Sequence, residues 1–498
     1  MTGTRDQQDL KMLIGSSIPL IRIESHEEKR ATELVKNICL KLKKPVYRWS
    51  ITSGLKRLGI EQLKPDVDDT QEPEAVLKHI ANDANPSVYI LCDLHPFLAE
   101  DARLVRKLRE ICLGYHKLGH TVVLLSPELE LPSELTALAA NFELALPSRE
   151  QLEDLIKEEA RLWSKQNQGQ KVRTDRSTLD LLISNLAGLT FHDARTLIRN
   201  VIHDDGAITE TELPEVNQAK FRLLERGGVL SFEFETARFN EVGGLTKLKT
   251  WLSQREPVFH RKPGTEALDP PKGVLLVGVQ GGGKSLAAKA VAGMWSVPLL
   301  RLDFGSLYNK YHGETEKNLR ESLKLAKLMS PCVLWMDEIE KGVSTGENDG
   351  GTSMRVLGTL LTWMAENRDP VFIVSTANDI SGLPPELIRK GRLDEIFFVD
   401  LPCSETRKEI FAIHLTKRKQ DIDAFDLDAL TAVTDGFSGS EIEQLVVSGL
   451  YSALGAGGNL SNETLMNEAK NTSPLSIVMR EKLESLRSWA EGRTVRAN

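Results

Sequence analysis

The chain has 498 residues, 41% of them hydrophobic and 27% charged, a balance typical of soluble globular proteins with two or three domains. Its formal net charge of -8 at pH 7 gives no basic excess, so the composition argues against a nucleic-acid partner. No apolar run approaches the roughly 20 residues that cross a bilayer, and the scattered cysteines, which lack CxxC spacing, indicate a cytoplasmic protein with reduced thiols.

Strand and helix signals alternate through the first half of the chain. Apolar strands are predicted at residues 18–23, 45–50, 88–92 and 121–125. The spacing of apolar residues predicts helices over 28–42 and around 104–111, and helices alone from 151 to 221. Because buried strands that alternate with helices form parallel sheets, we predict an α/β domain over 1–150 and a helical, lid-like region over 151–224.

The alternation restarts in the second half, after a predicted linker at 225–240. Five further strands are predicted at residues 273–277, 297–303, 332–336, 371–375 and 396–400. From residue 406 onward the spacing is helical again. The sequence therefore predicts a second α/β core over 241–402, followed by a helical lid and C-terminal helices over 403–498.

The two halves also resemble each other along the sequence. Residues 121–135 align with 371–387, residues 142–156 with 396–411, and residues 187–198 with 435–446. Three matches in the same order favour a duplicated unit, in which each copy has an α/β core and a helical lid. The alternative is a pair of unrelated α/β domains.

A glycine-rich segment after the first strand of the second core carries the clearest chemical signal. It fits the pattern G-x-x-x-x-G-K-[ST] and consists of Gly278, Val279, Gln280, Gly281, Gly282, Gly283, Lys284 and Ser285. Glycines let backbone N–H groups curl around phosphate oxygens, and the N-terminus of the following helix adds a favourable dipole. Lys284 is placed to neutralise the β/γ charge, and the Ser285 hydroxyl to ligate Mg²⁺. The segment predicts a triphosphate-binding loop.

Two carboxylates follow the buried strand predicted at 332–336. Asp337 and Glu338 stand at its tip, where carboxylates need a positive partner. Mg²⁺ beside the phosphate loop would be that partner, held by Asp337, while Glu338 would polarise the attacking water. Together with the loop, this pair predicts Mg²⁺-dependent hydrolysis of ATP.

From about residue 239 to 460 the chain resembles the AAA+ ATPases. The matching motifs occur in the family's order and include FNEVGGL at 239–245, KYHGETE at 310–316, WMDE at 335–338, STAN at 375–378, PELIRKGRLDE at 385–395 and GFSGSE at 436–441. The segment RKGRLDEIFFVDLP and the C-terminal tail resemble one branch, an AAA+ family known from cyanobacteria as a hypothetical chloroplast reading frame. This branch also occurs in other bacteria, and the likeness extends to the N-terminal half. The resemblance implies tandem P-loop-type αβα cores with parallel sheets, each followed by a helical lid.

The resemblance also implies roles for residues outside the two central motifs. Asn378 matches the sensor that contacts the attacking water or the γ-phosphate, while Val242 and Gly243 would touch the adenine through their backbone and His414 would lie near the base. Arg392 matches the arginine finger that reaches a neighbouring subunit. Three residues further on, where the family commonly has a second arginine, this chain has Glu395, which leaves the division of labour between Arg392 and Arg389 open.

Tyr311 aligns with the aromatic pore loop that grips polypeptide in threading relatives, and residues 345–352 are a candidate for a second loop of the same channel. The alternative for Tyr311 is an aromatic side chain packed on the sheet edge. Its polar or small neighbours favour an exposed loop.

The first half lacks the residues that bind and cleave ATP. Where the phosphate loop should follow the first strand, the sequence is Glu24-Ser-His-Glu-Glu28, without a glycine and with three carboxylates that would repel a triphosphate. Asp93 stands at the tip of the strand at 88–92, but Leu94 replaces the expected glutamate. We predict a degenerate AAA+-like unit that serves assembly, regulation or partner binding.

Three functions are compatible with this sequence to different degrees. We expect an oligomeric ATPase, a hexamer by resemblance, that remodels or threads a protein client with Tyr311. The alternative is a regulatory switch or scaffold whose N-terminal domain binds a partner without threading. A nucleic-acid motor is disfavoured because no basic cluster is present.

Overall fold

The computed structural model describes residues 5–16, 18–59, 70–203, 206–209, 212–225, 229–234, 241–309, 315–343, 352–380, 383–389 and 391–498. Contacts between Cα atoms divide the chain into two compact units. The first consists of Met1–Pro147 with Thr190–His192, and the second of Ser148–Leu189 with Asp193–Asn498.

The first unit is an α/β structure built on one sheet. Its strands are β1 (Leu20–Glu24), β2 (Val46–Ser50), β3 (Gly54–Arg57), β4 (Val88–Cys92), β5 (Thr121–Ser126) and β6 (Ala139–Phe142). Its helices are α1 (Arg5–Gly15), α2 (Glu28–Leu42), α3 (Pro73–Asn82), α4 (His95–Glu100), α5 (Ala102–Leu113), α6 (Tyr115–Leu118) and α7 (Ser133–Thr136). The strand order is β3-β2-β4-β5-β1-β6, and all neighbours run parallel except the hairpin of β2 with β3.

The central strands of this sheet are buried on both faces. In β4, Tyr89 and Leu91 pack into the apolar core on one face of the sheet, whereas Ile90 and Cys92 pack into the core on the other. Side chains that alternate between two apolar cores require a layer of helices on each face, because a strand exposed on one side would alternate with polar residues. The predicted three-layer arrangement follows from this burial.

The second unit begins with helices. These are α8 (Arg149–Gln166), α9 (Arg176–Leu186), α10 (Phe191–His203), whose first two residues count with the first unit, and α11 (Leu213–Leu224). The strands that follow are β7 (Leu230–Glu233), β8 (Gly273–Gly278), β9 (Leu299–Leu302), β10 (Cys332–Met336), β11 (Val371–Ala377), β12 (Glu395–Val399) and β13 (Val495–Arg496).

The helices between and after these strands complete the second unit. Those of the core are α12 (Thr246–Phe259), α13 (Lys284–Trp295), α14 (Phe304–Asn309), α15 (Thr315–Leu328), α16 (Ile339–Val343), α17 (Thr352–Glu366) and α18 (Pro385–Ile388). The C-terminal ones are α19 (Ser404–Lys417), α20 (Leu427–Val433), α21 (Gly439–Gly455), α22 (Asn462–Asn471), α23 (Leu475–Val478) and α24 (Arg480–Ala490). Helices α19–α22 share a small apolar core of their own around Phe411 and Ile442, and form the lid.

The two sheets have the same central topology. The second sheet runs β13-β12-β8-β11-β10-β9-β7, so its order β12-β8-β11-β10-β9 corresponds to β6-β1-β5-β4-β2 of the first. In both sheets the first core strand lies between the fourth and the fifth, which opens a crevice at the carboxyl ends of the strands. The fold prediction of tandem P-loop-type cores is confirmed, and the shared order is what a duplicated unit would give.

The structure adds strands at the sheet edges that the sequence pattern did not reveal. Strand β7 lies inside the predicted linker 225–240 and pairs antiparallel with β9, so this segment is partly a sheet edge. Strand β13 lies in the C-terminal tail and pairs parallel with β12. Both are short edge strands, whose period-2 pattern is too brief to be recognised.

Candidate nucleotide site

The phosphate loop joins β8 to α13, and two of its glycines are needed for its path. A Cβ atom on Gly278 would lie 2.0 Å from the carbonyl oxygen of Val399, because β8 and β12 approach closely here. Gly281 has φ +75°, and a Cβ atom there would lie 2.2 Å from the Ser440 hydroxyl at the N-terminus of α21. The loop therefore fits closely between the sheet and the lid.

Lys284 lies at the first position of α13 and is 94% buried. Its ammonium group donates to the carbonyl oxygens of Gly278, at 2.9 Å, and Val279, at 2.7 Å. Burial lowers the pKa of Lys284 to about 8, although nearby carboxylates, Glu340 first among them, oppose this shift. A desolvated cation held by two carbonyl oxygens would gain strongly from a phosphate oxygen, so the side chain is prepared for an anion.

The carboxylates at the end of β10 are held by the end of the neighbouring strand β11. The Thr376 hydroxyl donates to Asp337 Oδ1 at 2.6 Å and accepts from the backbone N–H of Glu338 at 3.1 Å. The side-chain amide of Asn378 donates to Glu338 Oε1 at 3.0 Å. Parallel strands with adjacent carboxyl ends therefore bring the predicted sensor to the predicted catalytic glutamate.

Two basic residues also contact this carboxylate pair. Arg301 on β9 lies 3.4 Å from Asp337 Oδ2 and stacks over the Trp335 ring, 4.8 Å from its centroid. Lys341 forms an ion pair with Glu338, and this partner raises the pKa of the Lys341 amine. Both cations therefore partly neutralise the charge of the carboxylate pair.

A cavity of about 360 Å³ joins these groups to the lid. One end is polar and is lined by the phosphate loop with Asp337, Glu338 and Asn378. The other end is more apolar and is lined by Val242, Gly243, Leu245, Pro402, Thr406, Ile410, Ile413, His414 and Asn498. A phosphate chain suits the first end, and a flat base suits the second.

His414 lies on the lid helix α19 at the apolar end of the cavity. Burial lowers the pKa of its imidazole, although Glu443, 3.5 Å away, opposes the shift. The ring is therefore neutral near pH 7 and can take part in uncharged contacts with a base. Ser440 at the start of α21 donates its backbone N–H to the Gly281 carbonyl at 3.3 Å, so the lid contacts both ends of the site.

Comparisons with known proteins agree with this geometry. The family model described as "ATPase family associated with various cellular activities (AAA)" matches residues 274–401. Models of the N-terminal and second domains of SpoVK-like AAA ATPases match residues 6–144 and 150–227. Along its whole length the chain is similar to the "Uncharacterized AAA domain-containing protein ycf46" of Pyropia yezoensis, with 35% identity over 498 residues that cover 99% of each chain. The chain belongs to this family of AAA ATPases.

Other relatives of this AAA ATPase support the same assignment. The ycf46 protein of Guillardia theta is 33% identical over 493 residues, which cover 98% of this chain and 96% of the relative. The proteasome-activating nucleotidase of Aeropyrum pernix is 37% identical over 232 residues, which cover 44% of this chain and 56% of the relative. The resemblance predicted from the motifs is confirmed. The protein is an ATPase.

The predicted arginine finger of this AAA ATPase does not line the cavity. Arg392 is not among the lining residues, and its guanidinium donates to the backbone carbonyl of Glu386. Glu395 accepts from the backbone N–H of Ile396 at 3.1 Å. Tyr311 and most of the second candidate loop lie outside the described residues.

Several residues around the site were missed by sequence reasoning. They are Arg301, Thr376, Thr406, Glu409, Ile410 and Asn498. Thr376 could have been noticed in the sequence, because it lies two residues before Asn378, near the end of β11. The other residues lie on separate elements.

No helix in the described part of the chain is long and apolar enough to cross a membrane. The described residues also contain no group of three or more His, Cys, Asp or Glu side chains that could hold a metal ion.

Proposed function

We propose that this protein is an oligomeric, Mg²⁺-dependent AAA ATPase that remodels or threads a protein client through a central pore. The observation that carries the proposal is the double contact of the lid. Ser440 touches the phosphate loop, and His414 lines the opposite end of the same cavity. Cleavage of the nucleotide changes the contacts at one end only, so it would move the lid relative to the core.

Hydrolysis would use the residues at the polar end of the cavity. Lys284 would leave its two loop carbonyls for the β- and γ-phosphates, and Glu338, oriented by Asn378, would accept a proton from the attacking water. Val242, Gly243 and His414 would contact the base, since they line the apolar end.

Mg²⁺ fits the donors that the cavity offers. The Ser285 hydroxyl and the Asp337 carboxylate both line its polar end, and Mg²⁺ prefers oxygen donors and uses few protein ligands when phosphates supply the rest. When bound, the ion would neutralise charge on the phosphates. Thr376 would keep the Asp337 carboxylate oriented toward it.

Arg392 would act on the site of a neighbouring subunit. In its own chain it does not line the cavity and donates to a backbone carbonyl, which it would release to reach the site of a second copy. Glu395 is turned to its own backbone and would not contact phosphate. We propose a ring, a hexamer by resemblance to AAA+ proteins, in the cytoplasm, where the five unpaired cysteines would remain reduced.

The helices that flank the two candidate pore-loop segments pack together in the core. Residues 310–314 connect α14 to α15, and residues 344–351 connect α16 to α17. These four helices pack on one another, so both connections start from one cluster. The similarity to the proteasome-activating nucleotidase of Aeropyrum pernix covers 232 residues and further supports action on proteins.

Replacement of Tyr311 tests threading. The probe is green fluorescent protein with an unstructured tail, and the readouts are its ATP-dependent loss of fluorescence and the rate of ATP hydrolysis. Tyr311→Ala should keep ATPase activity and lose unfolding. Tyr451→Ala, which changes an aromatic residue 73% exposed on α21, is the matched control and should keep both. Equal unfolding by both variants, or none by the wild type, would favour the switch or scaffold function instead.

We also propose that the first unit does not bind ATP. The glutamates in place of its phosphate loop are engaged by arginines: Glu24 by Arg22 at 2.6 Å, Glu27 by Arg30 at 2.8 Å, and Glu28 by Arg48. The segment that replaces the phosphate loop thus carries carboxylates, which would repel a phosphate. Titration of full-length Lys284→Ala with ATP tests this, because stoichiometric binding that persists in this variant would place a second site in the first unit.

A further inference from the structure

The C-terminal tail is built into the sheet that carries the nucleotide site. Val495 and Arg496 pair in register with Phe397 and Phe398 of β12. The next residue, Ala497, is 99% buried and donates its backbone N–H to the Phe398 carbonyl at 3.0 Å. The tail is therefore an ordered edge of the core.

The same tail caps helix α12. Leu245, at the N-cap position of α12, has a left-handed backbone with φ +55° and makes no side-chain cap. The missing acceptor comes from Ala497, whose carbonyl oxygen accepts from the N–H groups of Lys247, at 3.0 Å, and Leu248, at 3.2 Å. Free N–H groups in the first turn of a helix need such an acceptor, so the tail completes α12 from a distance of about 250 residues along the chain.

The segment before α12, residues 241–245, lines the apolar end of the cavity and is held by three side chains. Lys249 donates to the Val242 carbonyl at 2.7 Å. The Gly244 N–H donates to Glu409 of the lid at 2.8 Å. The Leu245 N–H donates to the side-chain oxygen of Asn498, and Asn498 itself lines the cavity. These anchors come from α12, the lid and the tail.

We propose that Asn498 is a positioning residue for the base end of bound ATP. By holding the Leu245 N–H, it fixes the backbone of residues 241–245 against the apolar end of the cavity. The phosphates would bind at the other end, on the loop at residues 278–285. This inference rests on ATP hydrolysis at the site and is independent of threading.

The proposal predicts a selective loss of affinity. Loss of one hydrogen bond to this backbone segment should weaken ATP binding about fivefold, within the range expected for a single partly buried bond. Inorganic tripolyphosphate fills only the phosphate end, so its affinity should not change. The turnover rate at saturating ATP should also stay constant, because Glu338 and Lys284 keep their surroundings.

The experiment compares three full-length variants with the wild type by calorimetric titration and steady-state kinetics. Asn498→Ala should raise the Kd and KM for ATP about fivefold, with kcat and the Kd of tripolyphosphate unchanged. Asn498→Asp keeps an acceptor oxygen in place and should stay within about twofold of the wild type. Arg496→Ala changes an exposed side chain of the same strand and is the matched control.

Two results would overturn the inference. The first is an ATP affinity for Asn498→Ala equal to that of the wild type. The second is an equal loss of tripolyphosphate affinity or of kcat, since this would indicate general damage to the core. A wild-type protein that neither binds nor cleaves ATP would refute the ATPase function itself, and a wild type that cleaves ATP without unfolding the fluorescent probe would leave this inference intact.

Discussion

Lys220 offers a quantitative test of how the helical region is joined to the ATPase core within the second unit. This lysine lies on α11, is 99% buried and donates to the Ala187 carbonyl at 2.5 Å. The thiol of Cys332, at the start of the strand that leads to Asp337, is close enough to influence its charge. Burial lowers the pKa of Lys220 to about 7.

Because the pKa of Lys220 is lower in the folded chain than in the unfolded chain, the free energy of unfolding depends on pH. The unfolded chain, whose lysine pKa is 10.5, binds more protons than the folded chain between about pH 7 and pH 10.5, so stability rises over this interval. From the pKa values of Lys220 in the folded and unfolded states, the free energy of unfolding should increase by about 2 kcal/mol between pH 7 and pH 9. Below pH 7 Lys220 is protonated in both the folded and the unfolded chain, so its contribution to the free energy of unfolding no longer changes with pH. Lys220→Met keeps an unbranched chain and removes the titration.

Alkylation of Cys332 measures this effect in the intact protein. The thiol is fully buried, so its rate of modification in a urea series reports opening of the second unit, and mass spectrometry separates it from the other four cysteines. Between pH 7 and pH 9 the free energy of opening of the wild type should rise by about 2 kcal/mol more than that of Lys220→Met. The variant lacks the lysine that titrates, so its stability does not gain this contribution. Comparison at equal pH cancels the ionisation of the thiol and of all other groups. A difference that stays constant across this interval would refute a lowered pKa for Lys220.

Three further substitutions test the nucleotide site. Glu338→Gln should bind ATP normally and lower single-turnover hydrolysis about 100- to 10,000-fold, because general base catalysis is lost; a loss below tenfold would contradict this role. Thr376→Val removes the hydroxyl that holds Asp337 and should raise the Mg²⁺ concentration needed for half-maximal activity about tenfold, measured at saturating ATP. Gly278→Ala should abolish ATP binding or folding, since its Cβ would meet the Val399 carbonyl, whereas Gly458→Ala, where no atom lies within 4 Å, should be neutral in both assays.

Local sequence patterns predicted the parts of the site that lie on continuous segments. The phosphate loop was found because glycine, lysine and serine must stand at fixed spacing to surround a phosphate chain. Asp337 and Glu338 were predicted because an Asp-Glu pair at the end of an apolar strand, which is common by itself, here follows a phosphate loop in the same core. Arg301 could not be assigned a role, since a guanidinium on a strand gives no signal until the neighbouring strand is known. Thr376 lies within the STAN segment, but its contact with Asp337 depends on how β10 and β11 pair.

The sequence by itself determined the family, the ATPase activity, the two α/β cores and the loss of the phosphate loop from the first of them, because each depends on residue types at short, fixed spacing. Only the tertiary structure decided which distant side chains complete the site. Asn498 and Leu245 are far apart in the chain and meet because β13 extends the sheet beside β12. Sheet order creates such contacts, and neither periodicity nor local composition encodes it.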